Sequence, residues 1–325
     1  MRAWVGALGG DAGEVAAYQL GWTGDREPGR HGGKLVRAAL TLLSARAMGG
    51  ESEAAAPAAA AMEMVHNLSL LYDDVLDGDT VRRHRASAWQ VFGAASATRA
   101  ADALLVVAFE ALADTGADAQ VAREASAVLL DTLVQLAVGA GLDVLFEQRQ
   151  WVEMSECLEM ISGKTASLFG CSCRLGALYA GADSDVAAGF AAFGHDLGMA
   201  FQLVDDLLAI WGDPGVTGKP VHQDLLRRKM SVPVVAALTS ATPAGQELAR
   251  RYALAPGQDP VGECARLAEL VEEAGGRRWT QVRVVRHVDA AREWLAQLAR
   301  RGGSVEAAAL EDLGVLCELM VTRAR

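Results

Sequence analysis

The chain has 325 residues with a formal net charge of −11, and 51% of its residues are hydrophobic. That acidity argues against a nucleic-acid-binding protein, which would need a basic face. The length allows a large core, and only 8 residues are proline, so no proline-rich linker divides the chain. We therefore expect a single domain over residues 1–325, and alanine-rich periodicity predicts that it is mainly helical.

The N-terminus has no basic region followed by an apolar stretch, and no window contains about eighteen uninterrupted apolar residues. We therefore expect neither a signal peptide nor a membrane span. The five cysteines show no zinc-binding spacing, and their odd number is typical of reduced thiols. Together these features predict a cytoplasmic protein.

A glycine-rich loop, GWTGDREPGRHGG, leads into Lys34, where a helical pattern begins (LVRAALTLLSARAM). Lys34 and Arg37 are three residues apart and are expected to share a face at the start of this helix. The helix dipole disfavours cations at that end, so loop amides and the two side chains are suited to a phosphate. The alternative is a solvated helix face.

The next helical pattern runs from about Pro57 to Asp77 and ends in carboxylates. Asp73 and Asp77 lie one helical turn apart, and Asp74 adds a third carboxylate. Converging carboxylates need a cation, and Mg²⁺ usually shares such a site with a substrate phosphate. The pattern therefore predicts a metal–diphosphate site.

Cations flank this acidic cluster on both sides. Arg82 and Arg83 follow it directly and can hold phosphate oxygens in a bidentate fork. His66 precedes Asp73 by two helical turns and lies on roughly the same face. A packed polar histidine is the alternative interpretation of His66.

The pattern over residues 151–181 is apolar nearly all round, so a deeply buried helix is expected. Lys164 and Thr165 lie within it. A lysine in such surroundings needs a counter-charge, which a bound diphosphate would supply. In the preceding helical pattern, Gly139 and Gly141 indicate close helix packing or the approach of a ligand.

The helical pattern that follows ends with Gln202, Asp205 and Asp206, a second acidic cluster. A Gly-Asp-Pro-Gly breaker comes next, followed by Lys219 and Lys229. The amphipathic patterns after residue 245 contain no acidic cluster of this density, and we assign them to packing.

Each acidic cluster thus lies on an apolar helix and is followed by cations. If the two helices face each other in a bundle, Mg²⁺ between the clusters would hold a diphosphate from both sides. A deep, apolar central cavity would then receive a hydrocarbon tail.

These motifs resemble those of the trans-isoprenyl diphosphate synthase family, which includes farnesyl and geranylgeranyl diphosphate synthases. The matching segments, in order, are GGKLVR, DDVLD followed by RR, GKT, FQLVDD, and GDPGVTGKP leading to a lysine. One such motif would be weak evidence, whereas five in the same order over about residues 15–235 are specific.

The resemblance implies an all-α, single-domain isoprenoid synthase bundle that forms a homodimer, binds three Mg²⁺ ions and condenses an allylic diphosphate with isopentenyl diphosphate head to tail. The implied metal ligands are Asp73, Asp74, Asp77, Asp205 and Asp206. The residues implied to hold the allylic diphosphate or its metal shell are Arg82, Lys164, Thr165, Gln202, Lys219 and Lys229. Those implied to hold isopentenyl diphosphate are Lys34, Arg37, His66 and Arg83. The most directly catalytic would be Asp73, Asp74, Lys164 and Asp205.

The chain departs from the family pattern at several positions. Ala209 stands where a third aspartate of the second cluster is usual, so metal binding on that side is expected to rest on two aspartates. Ala38 replaces a usual proline, His84 a usual glycine, and Tyr72 a frequent histidine.

Product length in this family depends on the bulk just before the first acidic cluster. Leu68 and Ser69 stand five and four residues before Asp73, and Ser69 leaves room for a longer tail. We therefore expect geranylgeranyl diphosphate, with farnesyl or longer polyprenyl diphosphates as alternatives. Ordinary core packing of both residues is the competing interpretation.

Two other functions fit parts of the pattern. A terpene cyclase on the same fold would need only one diphosphate site, whereas a second set of candidate ligands is present here. A non-catalytic partner subunit would be expected to lose its acidic clusters, and the first cluster is whole.

Overall fold

The computed structural model confirms an all-α protein, because its described elements are helices apart from one small hairpin. It describes residues 1–23, 33–114, 118–213, 222–254, 260–301 and 306–321. The hairpin pairs strand β1 (Val81–Arg82) with the antiparallel strand β2 (Arg85–Ala86).

The helices of the first half follow the alanine-rich patterns. Their bounds are α1 (Arg2–Ala7), α2 (Gly10–Gln19), α3 (Val36–Ala47), α4 (Ser52–Leu76), α5 (Ala88–Phe92), α6 (Ala94–Ala113) and α7 (Ala119–Phe146). The predicted start at Pro57 is wrong, because α4 begins at Ser52 and contains Pro57. The good helix formers before the proline extend the helix, which tolerates one missing backbone hydrogen bond.

The second half is also helical, and the predicted packing helices near the C-terminus are confirmed. The bounds are α8 (Met154–Ile161), α9 (Ser167–Tyr179), α10 (Ser184–Trp211), α11 (Gln223–Leu226), α12 (Val232–Leu238), α13 (Pro243–Tyr252), α14 (Pro260–Glu273), α15 (Gly276–Arg301) and α16 (Ala307–Val321).

The helical pattern over 151–181 is interrupted by an irregular turn. Between α8 and α9, residues Ser162–Ala166 form a π-helical segment, which we call the π-turn. Such segments are rare in proteins overall, and those that occur often lie at functional sites. This one carries Lys164 and Thr165, two of the predicted ligands.

The chain groups into two compact units. The first comprises Met1–Leu130, Ser172–Phe190 and Arg301–Leu310, and the second comprises Asp131–Cys171, Ala191–Arg300 and Glu311–Arg325. Helices α7, α9, α10, α15 and α16 contribute residues to both. The single domain and its central cavity stay predictions.

Small side chains let the helices of the first unit pack closely. α4 packs along α6 and α3, and alanines such as Ala58, Ala61 and Ala100 are fully buried. In α9, a Cβ on Gly176 would lie 2.0 Å from the carbonyl oxygen of Thr41 in α3, so only glycine fits there. This packing fixes α4, whose end carries the first acidic cluster.

A glycine contact also fixes the π-turn in the second unit. A Cβ on Gly139 would lie 2.3 Å from the amide nitrogen of Lys164, and one on Gly163 would lie 2.5 Å from the carbonyl oxygen of Gln135. The close packing predicted at Gly139 is therefore confirmed. A Cβ on Gly141, by contrast, would meet nothing within 4 Å.

We predict that Gly139→Ala lowers the free energy of unfolding by about 1–3 kcal/mol, because the added methyl group forces two backbones apart. Gly314→Ala is the matched control, since its Cβ would meet only Leu295 at 3.9 Å. The control should change stability by less than about 1 kcal/mol. Urea unfolding followed by circular dichroism measures both, and equal stabilities would contradict the packing described.

Candidate active site

The first acidic cluster lies at the C-terminal end of α4, in the first unit. The amide of Asp77 donates to the carbonyl oxygen of Asp73 at 2.8 Å, and the amide of Asp79 donates to that of Asp74 at 3.0 Å. Gly78 then takes a left-handed conformation with a φ of 66°. A helix C-terminus carries partial negative charge, so carboxylates placed there favour the approach of a cation.

Arg82 compensates part of this charge. Its Nε donates to Oδ1 of Asp74 at 2.8 Å, and its Nη2 contacts the same oxygen. Asp74 is 1% exposed, and burial raises the pKa of its carboxyl although Arg82 opposes that rise. The other oxygen, Oδ2, is buried and has no hydrogen-bond partner in the described part of the chain. Such an oxygen, near the half-buried Asp73 and Asp77, fits a divalent cation.

Cations also surround His66, and we call Arg37, His66 and Arg83 the basic group. Burial lowers the pKa of His66 well below its ordinary value, and Arg37, Arg83 and Arg82 lower it further, so the ring is neutral. Burial lowers the pKa of Arg37 to about 10 against the opposing charge of Glu63, which leaves Arg37 cationic at neutral pH. The basic group therefore attracts anions.

The hairpin directs the side chains of two successive arginines, Arg82 and Arg83, to different contacts. Arg83 and His84 form its turn with φ values of 51° and 62°, the combination of a type I′ turn. Arg82 contacts Asp74, whereas Nη1 of Arg83 donates to the carbonyl oxygen of Gln19 at 3.4 Å. His84 occupies a conformation that glycine adopts without strain, which accounts physically for the glycine usual at this position.

Arg83 lies against the loop before α3. A Cβ on Gly33 would lie 2.8 Å from Nη2 of Arg83, and Gly33 has a φ of 77°. The prediction that Lys34 and Arg37 share a face of this helix is wrong. Leu35 has a left-handed φ of 50° and is the N-cap of α3. Lys34 therefore precedes α3 and is exposed, and it does not share a helical face with Arg37.

In the second unit, the π-turn brings Lys164 to a carboxylate that sequence reasoning missed. Nζ of Lys164 donates to Oδ2 of Asp143 at 2.7 Å, and Nζ of Lys229 lies 4.0 Å from the same oxygen. Burial would raise the pKa of Asp143, but the two lysines outweigh burial and lower it. The only sequence clue was an acid within an apolar helix.

A chain of hydrogen bonds links three of the predicted residues. Thr165 donates to Oε1 of Gln202 at 2.9 Å, and Nε2 of Gln202 donates to Oδ1 of Asp206 at 3.0 Å. The amide of Val232 donates to Oδ2 of Asp206 at 3.0 Å. Burial and the nearby Asp224 raise the pKa of Asp206 to about 7, although Gln202 and Val232 partly oppose the rise. Both oxygens of Asp206 are thus engaged within the protein.

Asp205, in contrast, is half-buried beside Asp206. Ala209, one helical turn after Asp205, has no side-chain oxygen that could bind a metal. Lys219 lies outside the described residues. Among the described residues, no three acid, histidine or cysteine side chains converge closely enough to hold a metal by themselves.

The two residues predicted to set product length differ in exposure. Leu68 is buried in the first unit. Ser69 is half-buried, and its Oγ donates within the helix to the carbonyl oxygen of His66 at 2.8 Å. Tyr72, at the position where the family often has histidine, donates to Oδ1 of Asp102. Burial, and to a lesser degree the interaction with Asp102, raises the pKa of Tyr72 to about 12.

Within the described ranges, one helix is long and apolar enough to cross a membrane by length and composition, namely α7. Core helices of water-soluble proteins meet the same criteria, so this is weak evidence for a span.

These features define a helical protein whose carboxylates and partly buried cations suit metal and phosphate groups. The family model of polyprenyl synthetase matches residues 28–270, and the chain therefore belongs to the polyprenyl synthetase family, the trans-isoprenyl diphosphate synthases.

Similar proteins agree with this assignment. The chain is 47% identical over 265 residues to a geranylgeranyl diphosphate synthase of Mycobacterium tuberculosis, covering 81% of this chain and 75% of the relative. It is 40% identical over 288 residues to a (2E,6E)-farnesyl diphosphate synthase of Mycobacterium bovis, covering 87% and 80%. The crystal structure of a polyprenyl synthetase from Streptomyces coelicolor superposes with a TM-score of 0.91 at 40% identity, covering 98% of this chain and 95% of that one. The predicted isoprenoid synthase fold is thereby confirmed.

We predict that Asp206 makes the metal-free protein less stable as pH rises. Its pKa is about 7 when folded and 3.8 ordinarily, so the folded state retains a proton that the unfolded state loses between those values. Stability is therefore lost as pH rises through this window, by at most about 4 kcal/mol. The free energy of unfolding of Asp206→Asn should not fall over this pH range.

Urea unfolding from pH 4 to pH 8 in a chelator measures the difference between wild type and Asp206→Asn. Asp205→Asn serves as the neighbouring control. Parallel pH profiles for wild type and Asp206→Asn would contradict the burial described for this carboxyl.

Proposed function

We propose that this enzyme condenses an allylic diphosphate with isopentenyl diphosphate head to tail and uses Mg²⁺. One observation carries the proposal: its cations lie in two kinds of surroundings. Arg37 and Arg83 lie around His66, with Glu63 as a nearby acid, whereas Arg82 and Lys164 donate directly to the carboxylates of Asp74 and Asp143. An enzyme that joins two diphosphates needs two anion sites, and only the substrate that ionises needs metal-binding carboxylates nearby.

We assign isopentenyl diphosphate to the basic group together with Lys34. The allylic diphosphate and its Mg²⁺ are assigned to Asp73, Asp74, Asp77, Arg82, Lys164, Thr165, Gln202, Asp205, Asp206, Lys219 and Lys229. The orphaned oxygen of Asp74 supports a metal on the first side. Bound Mg²⁺ would supply positive charge that stabilises the departing diphosphate. The number of three ions and the cytoplasmic location stay predictions.

The reaction breaks the bond between allylic C1 and the diphosphate oxygen and forms a bond between C1 and the terminal alkene carbon of isopentenyl diphosphate. Lys164, Lys229 and Arg82 donate to the diphosphate oxygens as negative charge develops on them. Arg37 and Arg83 hold the diphosphate of the second substrate. The proton that leaves the new product passes to the departed diphosphate, whose oxygens can accept it.

Products identified by mass spectrometry test this function. Purified protein is incubated with Mg²⁺, isopentenyl diphosphate and, in turn, dimethylallyl, geranyl and farnesyl diphosphate. A longer prenyl diphosphate is expected. A hydrocarbon would identify a terpene cyclase, and no product with any primer would indicate a non-catalytic subunit.

We further propose geranylgeranyl diphosphate as the product. A relative at 47% identity is named for that product, and one at 40% identity is named for farnesyl diphosphate. Ser69 supports the longer product, because its small side chain is half-buried and bonds only to its own helix in the contacts described.

Ser69→Phe should shorten the product by at least one five-carbon unit, because an aromatic ring one turn before Asp73 would block the growing tail. Ser69→Ala is the control and should leave product length unchanged. An unaltered product spectrum in the phenylalanine variant would remove Ser69 from the tail channel.

A homodimer is proposed from the exposed face of α7 in the second unit. Val134 is 64% exposed and Val138 is 51% exposed, and the same stripe continues through Gly141 to Leu145. Their spacing of three and four residues is that of a helix–helix seam. Gly141, which has open space beside it, would let the second copy's backbone approach.

Val134→Glu should convert the dimer to a monomer, because it places charge within that seam. Val285→Glu on α15 is the matched control, since Val285 is 56% exposed but lies outside the stripe. Light scattering after size-exclusion chromatography gives the masses. A Val134→Glu protein that stays dimeric, with normal helix content, would contradict the proposed interface.

A further inference from the structure

The π-turn is held from one side by three residues of α10. His195, Gly198 and Gln202 are three and four residues apart, so they lie on one face of that helix. Nε2 of His195 and Oγ of Ser162 lie 2.8 Å apart, which is a hydrogen bond to the first residue of the π-turn. Gln202 accepts from Thr165, near the last residue of the turn, at 2.9 Å. Helix α10 therefore holds the π-turn near both of its ends.

Between these two hydrogen bonds the backbones lie close together. A Cβ on Gly198 would lie 2.6 Å from Cα of Ala166, so α10 packs directly against the turn at this point. In α9, a Cβ on Gly170 would lie 3.0 Å from the carbonyl oxygen of Ala191 and 3.6 Å from Cβ of His195. This packing fixes the base of the His195 side chain beside the π-turn.

The next residue, Asp196, ties the same part of α10 to α15. Oδ1 of Asp196 lies 2.8 Å from Nδ1 of His287, and Nε1 of Trp294 donates to Oδ2 of Asp196 at 3.2 Å. Burial lowers the pKa of His195, and Asp196 only partly opposes this, so the His195 ring is neutral at neutral pH. A neutral imidazole has one donor and one acceptor nitrogen, and either suits a serine hydroxyl.

We propose that His195 is a positioning residue that, through Ser162, holds the π-turn in the shape that presents Lys164 and Thr165 to the allylic diphosphate. The inference rests on the proposed function, in which Lys164 and Thr165 hold that substrate. A π-helical segment is rare, so one that persists depends on the contacts around it. The bond between His195 and Ser162 is the only hydrogen bond that either side chain makes among the described residues. Its loss therefore frees the start of the turn.

Removing this bond should affect the two substrates differently. His195→Phe keeps a ring but cannot bond to Ser162, so the KM for the allylic diphosphate should rise about tenfold, the size expected for one lost hydrogen bond. The KM for isopentenyl diphosphate should change less than about twofold, because the residues assigned to it lie in the first unit. His195→Gln keeps an amide near the position of Nε2 and should restore the allylic KM to within about threefold of wild type.

Initial rates, measured while each substrate is varied in turn, give both KM values. Trp294→Phe is the matched control, because it removes one hydrogen bond from Asp196 and none from the π-turn. It should lower stability and leave both KM values unchanged. If His195 served stability alone, His195→Phe would behave like this control. An unchanged allylic KM in His195→Phe, or an equal rise for both substrates, overturns the inference.

Ser162→Ala tests the same bond from its other end, and it serves also if His195→Phe does not fold. It should raise the allylic KM by the same factor as His195→Phe. Because both substitutions remove one bond, combining them should add no further effect. Effects that multiply in the double variant would show that the two residues act separately, which overturns the inference.

Hydrogen exchange followed by mass spectrometry reports on the π-turn without any substrate. Peptides that contain the turn should exchange faster in Ser162→Ala and His195→Phe than in wild type, and at the wild-type rate in Trp294→Phe. Equal exchange in all four proteins overturns the inference. A wild-type protein that makes no prenyl diphosphate overturns the proposed function instead, and the exchange rates then still decide whether His195 holds the turn.

Discussion

Charge held at partly apolar sites must be compensated, and this constraint governs both units. Asp74 is compensated by Arg82 through one oxygen while its other oxygen has no described partner. Asp143 accepts from Lys164 and lies near Lys229. Acids thus gather at the end of α4 and lysines at the π-turn. A metal ion suits the first place and a diphosphate the second, because each would add the opposite charge.

The two acidic clusters differ more than their sequences suggest. The first lies at a helix C-terminus and keeps a carboxylate oxygen available. In the second, Asp206 accepts from Gln202 and Val232 and acts mainly as an internal acceptor that orients Gln202 and Thr165. Ala209 removes a further oxygen, so Asp205 is the carboxylate most suited to a ligand on that side. Metal binding should therefore depend on oxygens from the substrate.

Periodicity and motifs were enough to predict the fold class, most helices and the family, because these depend on local pattern. The predicted start of α4 is wrong because good helix formers outweigh one proline. The prediction that Lys34 and Arg37 share a helical face is also wrong, because Leu35 adopts a left-handed conformation that no helical pattern reveals. The shape of the π-turn, and the pairing of its Lys164 with Asp143, depend on the close packing of Gly139 against Gly163. These residues are separated in sequence. Such partners become visible only when the chain is folded.

If Mg²⁺ and diphosphate bind at one site, as proposed, reciprocal coupling requires each ligand to strengthen the binding of the other. The measurement is calorimetric titration of the protein with Mg²⁺, in the absence and presence of saturating inorganic diphosphate, corrected for formation of free magnesium diphosphate. The proposed function predicts weak Mg²⁺ binding alone and binding at least tenfold tighter with diphosphate, because oxygens of the diphosphate then share in holding the metal. Equal Mg²⁺ affinities under the two conditions would contradict it.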